Sequence, residues 1–137
     1  MEFVGGAWWE LRLLDGWSVT EHQECLTLTR SEHGAFQLSA AVKKDGAILP
    51  NEVEAQSRKG TPETSRSIPF AAGKFSGFTT GYAEEKTYWQ RFWLAHGNVL
   101  VFASYNGSQE SWCAEQPDVY DMLATLRPRA STNVLPA

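Results

Sequence analysis

Lys74–Tyr105, KFSGFTTGYAEEKTYWQRFWLAHGNVLVFASY, divides at the polar breaks Glu84-Glu85-Lys86 and His96-Gly97 into three runs, Phe75–Ala83, Thr87–Ala95 and Asn98–Tyr105. Each run is rich in aromatic and β-branched residues, which suit a pleated, half-buried surface. The breaks are too short for a crossover helix, so the runs form an antiparallel meander. Tight turns restrict which side chains share a face. With Glu85-Lys86 as the first loop and a two-residue loop near His96-Gly97, one face carries Phe78, Tyr82, Trp89, Arg91, Trp93, Leu100 and Phe102. The other carries Thr79, Gly81, Ala83, Gln90, Phe92, Leu94, Val99, Val101 and Ala103. This second face is smoother, and a helix can pack on it.

Working outward, the C-terminal segment Pro117–Arg127 supplies that helix. Val119, Met122, Leu123 and Leu126 follow at i, i+3, i+4 and i+7, with proline in the first turn and Arg127 late, as the helix dipole favours. Upstream, Asp15-Gly16 between Trp9–Leu13 and Trp17-Ser18-Val19 predicts a first hairpin with a type I′ turn. Glu24–Arg30 and Ala35–Val42 predict a second, with Phe36, Leu38, Ala40 and Val42 on one face. Pro50–Lys59 reads as a short middle helix capped by Asn51, with a thin apolar stripe of Leu49, Val53 and Ala55 and a polar loop over Ser57–Ser67 after it. The expected class is α+β: a twisted antiparallel sheet of about six to seven strands with a C-terminal and a short middle helix. Residues 1–128 form one such domain and 129–137 an extended or disordered tail.

The 137-residue length suits one hydrophobic core. A formal charge of −4 and a pI near 5.3 disfavour nucleic acid and anionic membranes and favour a partner with a basic surface. The opening Met1-Glu2-Phe3-Val4 has no basic n-region or apolar h-region. No run approaches the ~18 apolar residues of a membrane span, so a cytoplasmic location is expected.

Catalytic constellations are sought and not found in the sequence. Cys25 and Cys113, without a CxxC spacing or a nearby histidine pair, read as two buried thiols, with no metal site or disulfide. His33 and His96 each precede glycine and read as solvated turn residues. His22 and Cys25, three apart near a strand, are expected on opposite faces and so form no dyad. The acidic pairs Glu84-Glu85 and Glu52/Glu54 read as solvated charges, and Gly5-Gly6 is no phosphate-cradling run. The expectation is a non-enzymatic protein without cofactor.

Tyr88-Trp89-Gln90-Arg91-Phe92-Trp93-Leu94, the run Gly97–Asn106, Met122–Pro128 and the opening Trp9–Leu13 before Asp15-Gly16-Trp17 together resemble small bacterial proteins with a PsbP/DcrB-like fold. The resemblance covers most of residues 8–128. It implies an antiparallel sheet with helices in an α/β/α-like arrangement. Members of that broader fold serve as binding or assembly factors, including partners of photosystem proteins and chaperones of secreted toxins. It offers no catalytic residues to carry over.

The aromatic face needs a cover, because adjacent large apolar side chains would otherwise form an exposed patch. Three covers are open. The first is the middle helix together with the N-terminal strands and Trp8 or Trp17; the second is a homodimer; the third is another protein or a small ligand. The expected function is protein binding, immunity or chaperone-like, through Phe78, Tyr82, Trp89, Arg91, Trp93 and Phe102. A small-ligand carrier with an aromatic pocket between the sheet and the loop Gly60–Phe70 is the alternative.

Overall fold

Two-residue turns close the meander. In the computed structural model, which describes residues 2–30 and 33–129, Glu84 pairs with Thr87 around Glu85-Lys86, and His96 with Val99 around Gly97-Asn98. Glu85 and Gly97 take positive φ values of 55° and 59°, the turn geometry that matches the right-handed twist of the strands. Among the described residues the chain runs β1 (Glu2–Gly5), β2 (Trp9–Leu13), β3 (Ser18–His22), β4 (Cys25–Thr29), β5 (Ala35–Val42) and α1 (Pro50–Lys59). It continues through β6 (Ile68–Ala72), β7 (Phe75–Glu84), β8 (Thr87–His96), β9 (Val99–Gly107), α2 (Gln109–Leu123) and β10 (Arg127–Pro128). The main sheet is seven-stranded and antiparallel, in the order β3-β4-β5-β9-β8-β7-β6. The expected α+β class is observed, with one helix on each side of this sheet.

The first predicted hairpin is not formed. β2 pairs with β1 and β10 in a separate three-stranded sheet, while β3 pairs with β4 at the edge of the main one. Asp15-Gly16 still reverses the chain, with Gly16 at φ 90° and Trp17 N donating to Leu14 O at 3.1 Å. It leads from one sheet to the other. Turn chemistry specifies a reversal, and burial then chooses the partner. Trp9 and Leu11 on β2 are buried against the main sheet, whereas every residue of β3 is exposed.

The inner face of the main sheet presents Leu26, Leu28, Phe36, Leu38, Phe92, Leu94, Val101, Ala103 and Tyr105. Over it lie Trp9 and Leu11 from the small sheet and Trp112, Val119, Met122 and Leu123 from α2. The C-terminal helix thus packs on the predicted face, but its bounds differ from the Pro117–Arg127 expected. It begins after Ser108, whose hydroxyl accepts from Ser111 N at 3.0 Å, so Pro117 lies inside the helix rather than in its first turn. The apolar stripe extends back through Trp112 but is interrupted by Glu115, which hid the first half of the helix from a periodicity reading. At the other end, Arg127 and Pro128 leave the helix and pair with β2.

α1 keeps its predicted span on the outer face, with a different cap. Leu49, not Asn51, is the N-cap residue, and the Glu52 carboxylate accepts from Leu49 N at 2.8 Å while pairing with Lys43 Nζ at 2.8 Å. Val53 is buried, Ala55 and Leu49 are exposed, and Ser57, expected in a loop, is a buried helix residue. The Ser57 and Ser67 hydroxyls are 2.7 Å apart, and Ser67 Oγ is 3.3 Å from Thr80 Oγ1. These contacts hold α1 and the segment after it to β7.

Of the predicted tail, 130–137 lie outside the described residues, while Arg129 is tied into the fold. Arg127 Nε and Arg129 Nε approach the two Glu10 carboxylate oxygens at 2.7 and 3.1 Å, and Arg129 N donates to Trp8 O at 3.2 Å. The Arg127 hydrogen bond, opposed by desolvation and reinforced by Arg129, holds the Glu10 pKa below its usual 4.5. A depressed carboxylate pKa stabilises the fold above the unfolded value, and that contribution disappears as pH falls through the folded one. Because the arginines are largely exposed, the contribution is about 1 kcal/mol or less. A carboxyl NMR titration of Glu10 is expected to show a midpoint below 4.5, moving upward in an Arg127→Gln variant; a wild-type midpoint at or above 4.5 would contradict the clamp.

Candidate functional site

Strand register builds the outer face in rows across β7, β8 and β9. Phe78, Trp93 and Phe102 form one row; Thr80, Arg91 and Ser104 the next; Tyr82, Trp89 and Asn106 the third. All six predicted site residues therefore share a face. α1 divides them. Trp93 is only 5 % exposed, with its ring 5.5 Å from that of Phe102 and its outer edge beneath Gly60 at the end of α1. Phe78, Tyr82, Trp89, Arg91 and Phe102 stay half-buried. Trp93 belongs to the core, and the others lie on the part of the face that α1 leaves uncovered.

Of the covers considered, the middle helix is present, but only over one end. The N-terminal strands and Trp17 lie on the inner face, where Trp17 Nε1 donates to Asp118 Oδ2 at 2.9 Å. Trp8, 41 % exposed, sits in the turn between β1 and β2. The reason is connectivity: β2 joins β10, which follows α2 directly, so the N-terminal strands are drawn to the α2 side.

Arg91 occupies the middle of the uncovered part. Its Cζ lies 4.7 Å from the Trp89 ring centroid and 5.9 Å from those of Tyr82 and Phe102. Among the described residues its Nε is buried without a hydrogen-bond partner, and so is the Oγ of Ser104 directly across on β9. Cation–π attraction of about 0.5–2 kcal/mol holds the guanidinium in place but satisfies none of its N–H donors. Ser104 was absent from the sequence-derived set because a lone serine in an apolar strand gives no sign of its burial.

A second polar cluster was also missed. Glu115 on α2 is fully buried, and its Oε1 accepts from Tyr105 Oη at 2.7 Å and from Gly34 N at 3.1 Å. Its Oε2 is 3.8 Å from Arg30 Nε, and Arg30 Nη1 reaches Asp118 Oδ2 at 3.0 Å. Burial, and then the Glu115 hydrogen bond, push the Tyr105 hydroxyl far above its usual pKa of 10. The cluster fastens α2 to β5 and β9. The spacing of Trp112, Glu115 and Val119 was its one sequence signal.

The remaining flagged groups take other positions. His22 and Cys25 are direct register partners across the Gln23-Glu24 turn, so they share a face rather than opposing one another. Sequence spacing misjudged this because the chain reverses between them. His22 is exposed, and Cys25 Sγ makes a long contact of 3.8 Å with Leu26 O. The thiols expected to be buried are half-buried at Cys25 and exposed at Cys113, both free. His33 and His96 are exposed as expected, with His96 Nδ1 2.9 Å from Lys74 O. Glu54 pairs with Arg58 at 2.7 Å. Among the described residues no group of three or more His, Cys, Asp and Glu side chains is arranged to hold a metal ion. Nor, among the described residues, is any helix long and apolar enough to cross a membrane.

No family model and no curated protein matches the chain. A crystal structure from Bacteroides thetaiotaomicron VPI-5482 is similar, with a TM-score of 0.65 and 18 % sequence identity over 97 % of this chain and 49 % of that one. The chain thus spans about half the length of that protein. At that identity the likeness establishes the α+β architecture, and function rests on the residues of the site.

Proposed function

We propose that the protein is a non-enzymatic binding module that docks a different protein on the part of the outer sheet face left open by α1, in the manner of an immunity or chaperone-like partner. The observation that carries this is the half-buried cluster of Tyr82, Trp89 and Phe102 around Arg91. Tryptophan, tyrosine and arginine are the residue types enriched at interface hot spots. The net charge of −4 steers encounter toward a basic partner surface. The resemblance to PsbP/DcrB-like binding and assembly factors supports the same reading.

The test is a photocrosslink from Tyr82→p-benzoylphenylalanine, with the same substitution at Val19 on the far edge as control. The protein captured at Tyr82 is then purified and titrated. Arg91→Ala and Trp89→Ala should each weaken it by about 30-fold, the effect of losing roughly 2 kcal/mol at a hot spot. Wild-type affinity in both variants, or capture from Val19 alone, would sink the proposal; a self-crosslink alone would replace it with a homodimer.

A carrier for a small apolar molecule is the second reading. It is favoured by an open groove of about 650 Å³ lined by Ile48, Val53, Phe70, Phe78 and His96, within the usual range for ligand sites. A thermal-shift screen of lipids and metabolites that stayed flat would remove it.

A further inference from the structure

The open groove of about 650 Å³ beside α1 has small side chains on its floor. Ala71, Ser76 and Ala95 are register partners across β6, β7 and β8, and all three line it. The adjacent row is bulky, with Pro69, Phe78 and Trp93 in register. α1 comes down on the sheet at the buried Val53, and Ile48 and Pro50 before it form the opposite wall. The space over the small row stays open between apolar sides.

Charge in this groove has one sign. Lys74 and His96 are the lining residues with ionisable side chains, and none of the lining residues is acidic, in a chain that carries 16 acidic residues against 12 lysines and arginines. The acids of α1 are engaged elsewhere. Glu52 is held by Lys43 at 2.8 Å in a separate hollow, and Glu54 by Arg58 at 2.7 Å. Lys74 and His96 are brought together by a contact of 2.9 Å between His96 Nδ1 and Lys74 O. The carbonyl can only accept, so Nδ1 donates, and an imidazolium keeps this bond while Nε2 donates to a second acceptor.

Both residues are exposed and stand at the rim, where an anionic group keeps its contact with water. A chain attached to that group lies against Val53 and Phe78 and leaves water. Repulsion from the rest of the molecule is screened beyond about 8 Å at physiological salt.

We infer that this groove takes a straight-chain carboxylic acid, with its tail along the small-residue floor and its carboxylate at Lys74 and His96. This rests on the second reading above, a carrier on the sheet, and names the class of ligand carried.

The probes are octanoate, octan-1-ol and octylammonium, each titrated at pH about 7, where the acid is ionised, into the 15N-labelled full chain while the Ala95 and Gly97 amides are followed. Octanoate should move both with an affinity of about 1–10 mM. Decanoate should bind about four- to sixteenfold tighter, the effect of two more methylenes half to fully buried. Octan-1-ol should bind about three- to fivefold more weakly than octanoate, the scale of one exposed ion pair, and octylammonium more weakly still. Lys74→Gln should reduce octanoate to the affinity of the alcohol and leave the alcohol unchanged. Ser76→Trp, at an exposed lining position, should fill the groove and weaken every probe more than about tenfold, with the α2 amides unmoved to verify the fold. Equal affinity for acid and alcohol, or tightest binding of octylammonium, overturns the carboxylate assignment and leaves the carrier reading standing. Octanoate binding that Ser76→Trp does not change places the ligand elsewhere and overturns the assignment. A flat response to all three probes removes the carrier reading together with it.

Discussion

Glu115→Ala should cost about 3–5 kcal/mol of folding stability, the scale for removing one partner from a buried charged network. The substitution strands two buried donors, Tyr105 Oη and Gly34 N, each of which now bonds Glu115 Oε1. An orphaned buried donor costs about 1–3 kcal/mol. Arg30 is not stranded, because its side chain is 36 % exposed and keeps Asp118. For a domain of this size the loss corresponds to a fall in Tm of roughly 10–20 °C. Glu115→Gln should cost less, about 1–2 kcal/mol, because an amide oxygen still accepts from both donors. Urea denaturation at neutral pH measures both variants, and an alanine variant within about 1 kcal/mol of wild type would show that the cluster does not fasten α2.

Trp93→Ala should be destabilising on the same scale, about 3–5 kcal/mol, through the cavity left by a large buried ring. Trp93 packs against Phe102 and lies under the C-terminal end of α1. Amides of α1 should therefore exchange faster in this variant than those of α2. Trp89→Ala should cost only about 1–2 kcal/mol, since its half-buried ring loses less area and a single cation–π contact. Arg91→Ala should lie within about 1 kcal/mol of wild type, because it also removes a buried N–H that has no acceptor. If Trp89→Ala unfolds the protein and Trp93→Ala does not, the division of this face into core and docking surface is reversed. These variants separate folding from binding on one surface, and they set the order in which partner experiments should be read.

The difference between those two tryptophans was invisible in the chain, although they are four residues apart on one strand and share a face. What separates them is α1, whose apolar stripe is thin: Val53 is its buried apolar residue, and the buried Ser57 is held by hydroxyl contacts to Ser67. Periodicity counts apolar residues, so a helix docked partly through serine and threonine looks loosely held. The same limitation hid the first half of α2, where a buried glutamate stands at a core position. It also misplaced His22 and Cys25, because strand alternation holds along one strand and fails across a turn.

Local chemistry in the chain was sufficient for the meander, its register and the membership of its two faces. Side-chain alternation and two-residue turns act over a few residues and leave few alternatives once one face must be buried. The same local signals located the middle helix and showed which face of the meander the C-terminal helix would take. Only the assembled structure decided that β2 leaves its neighbour β3 for β1 and β10, and that the N-terminal strands cover the inner face. It alone revealed that Arg91 Nε and Ser104 Oγ are buried without hydrogen-bond partners among the described residues. Those outcomes depend on segments far apart in sequence competing for the same surface, and that competition is settled by burial and by hydrogen-bond satisfaction across the whole molecule.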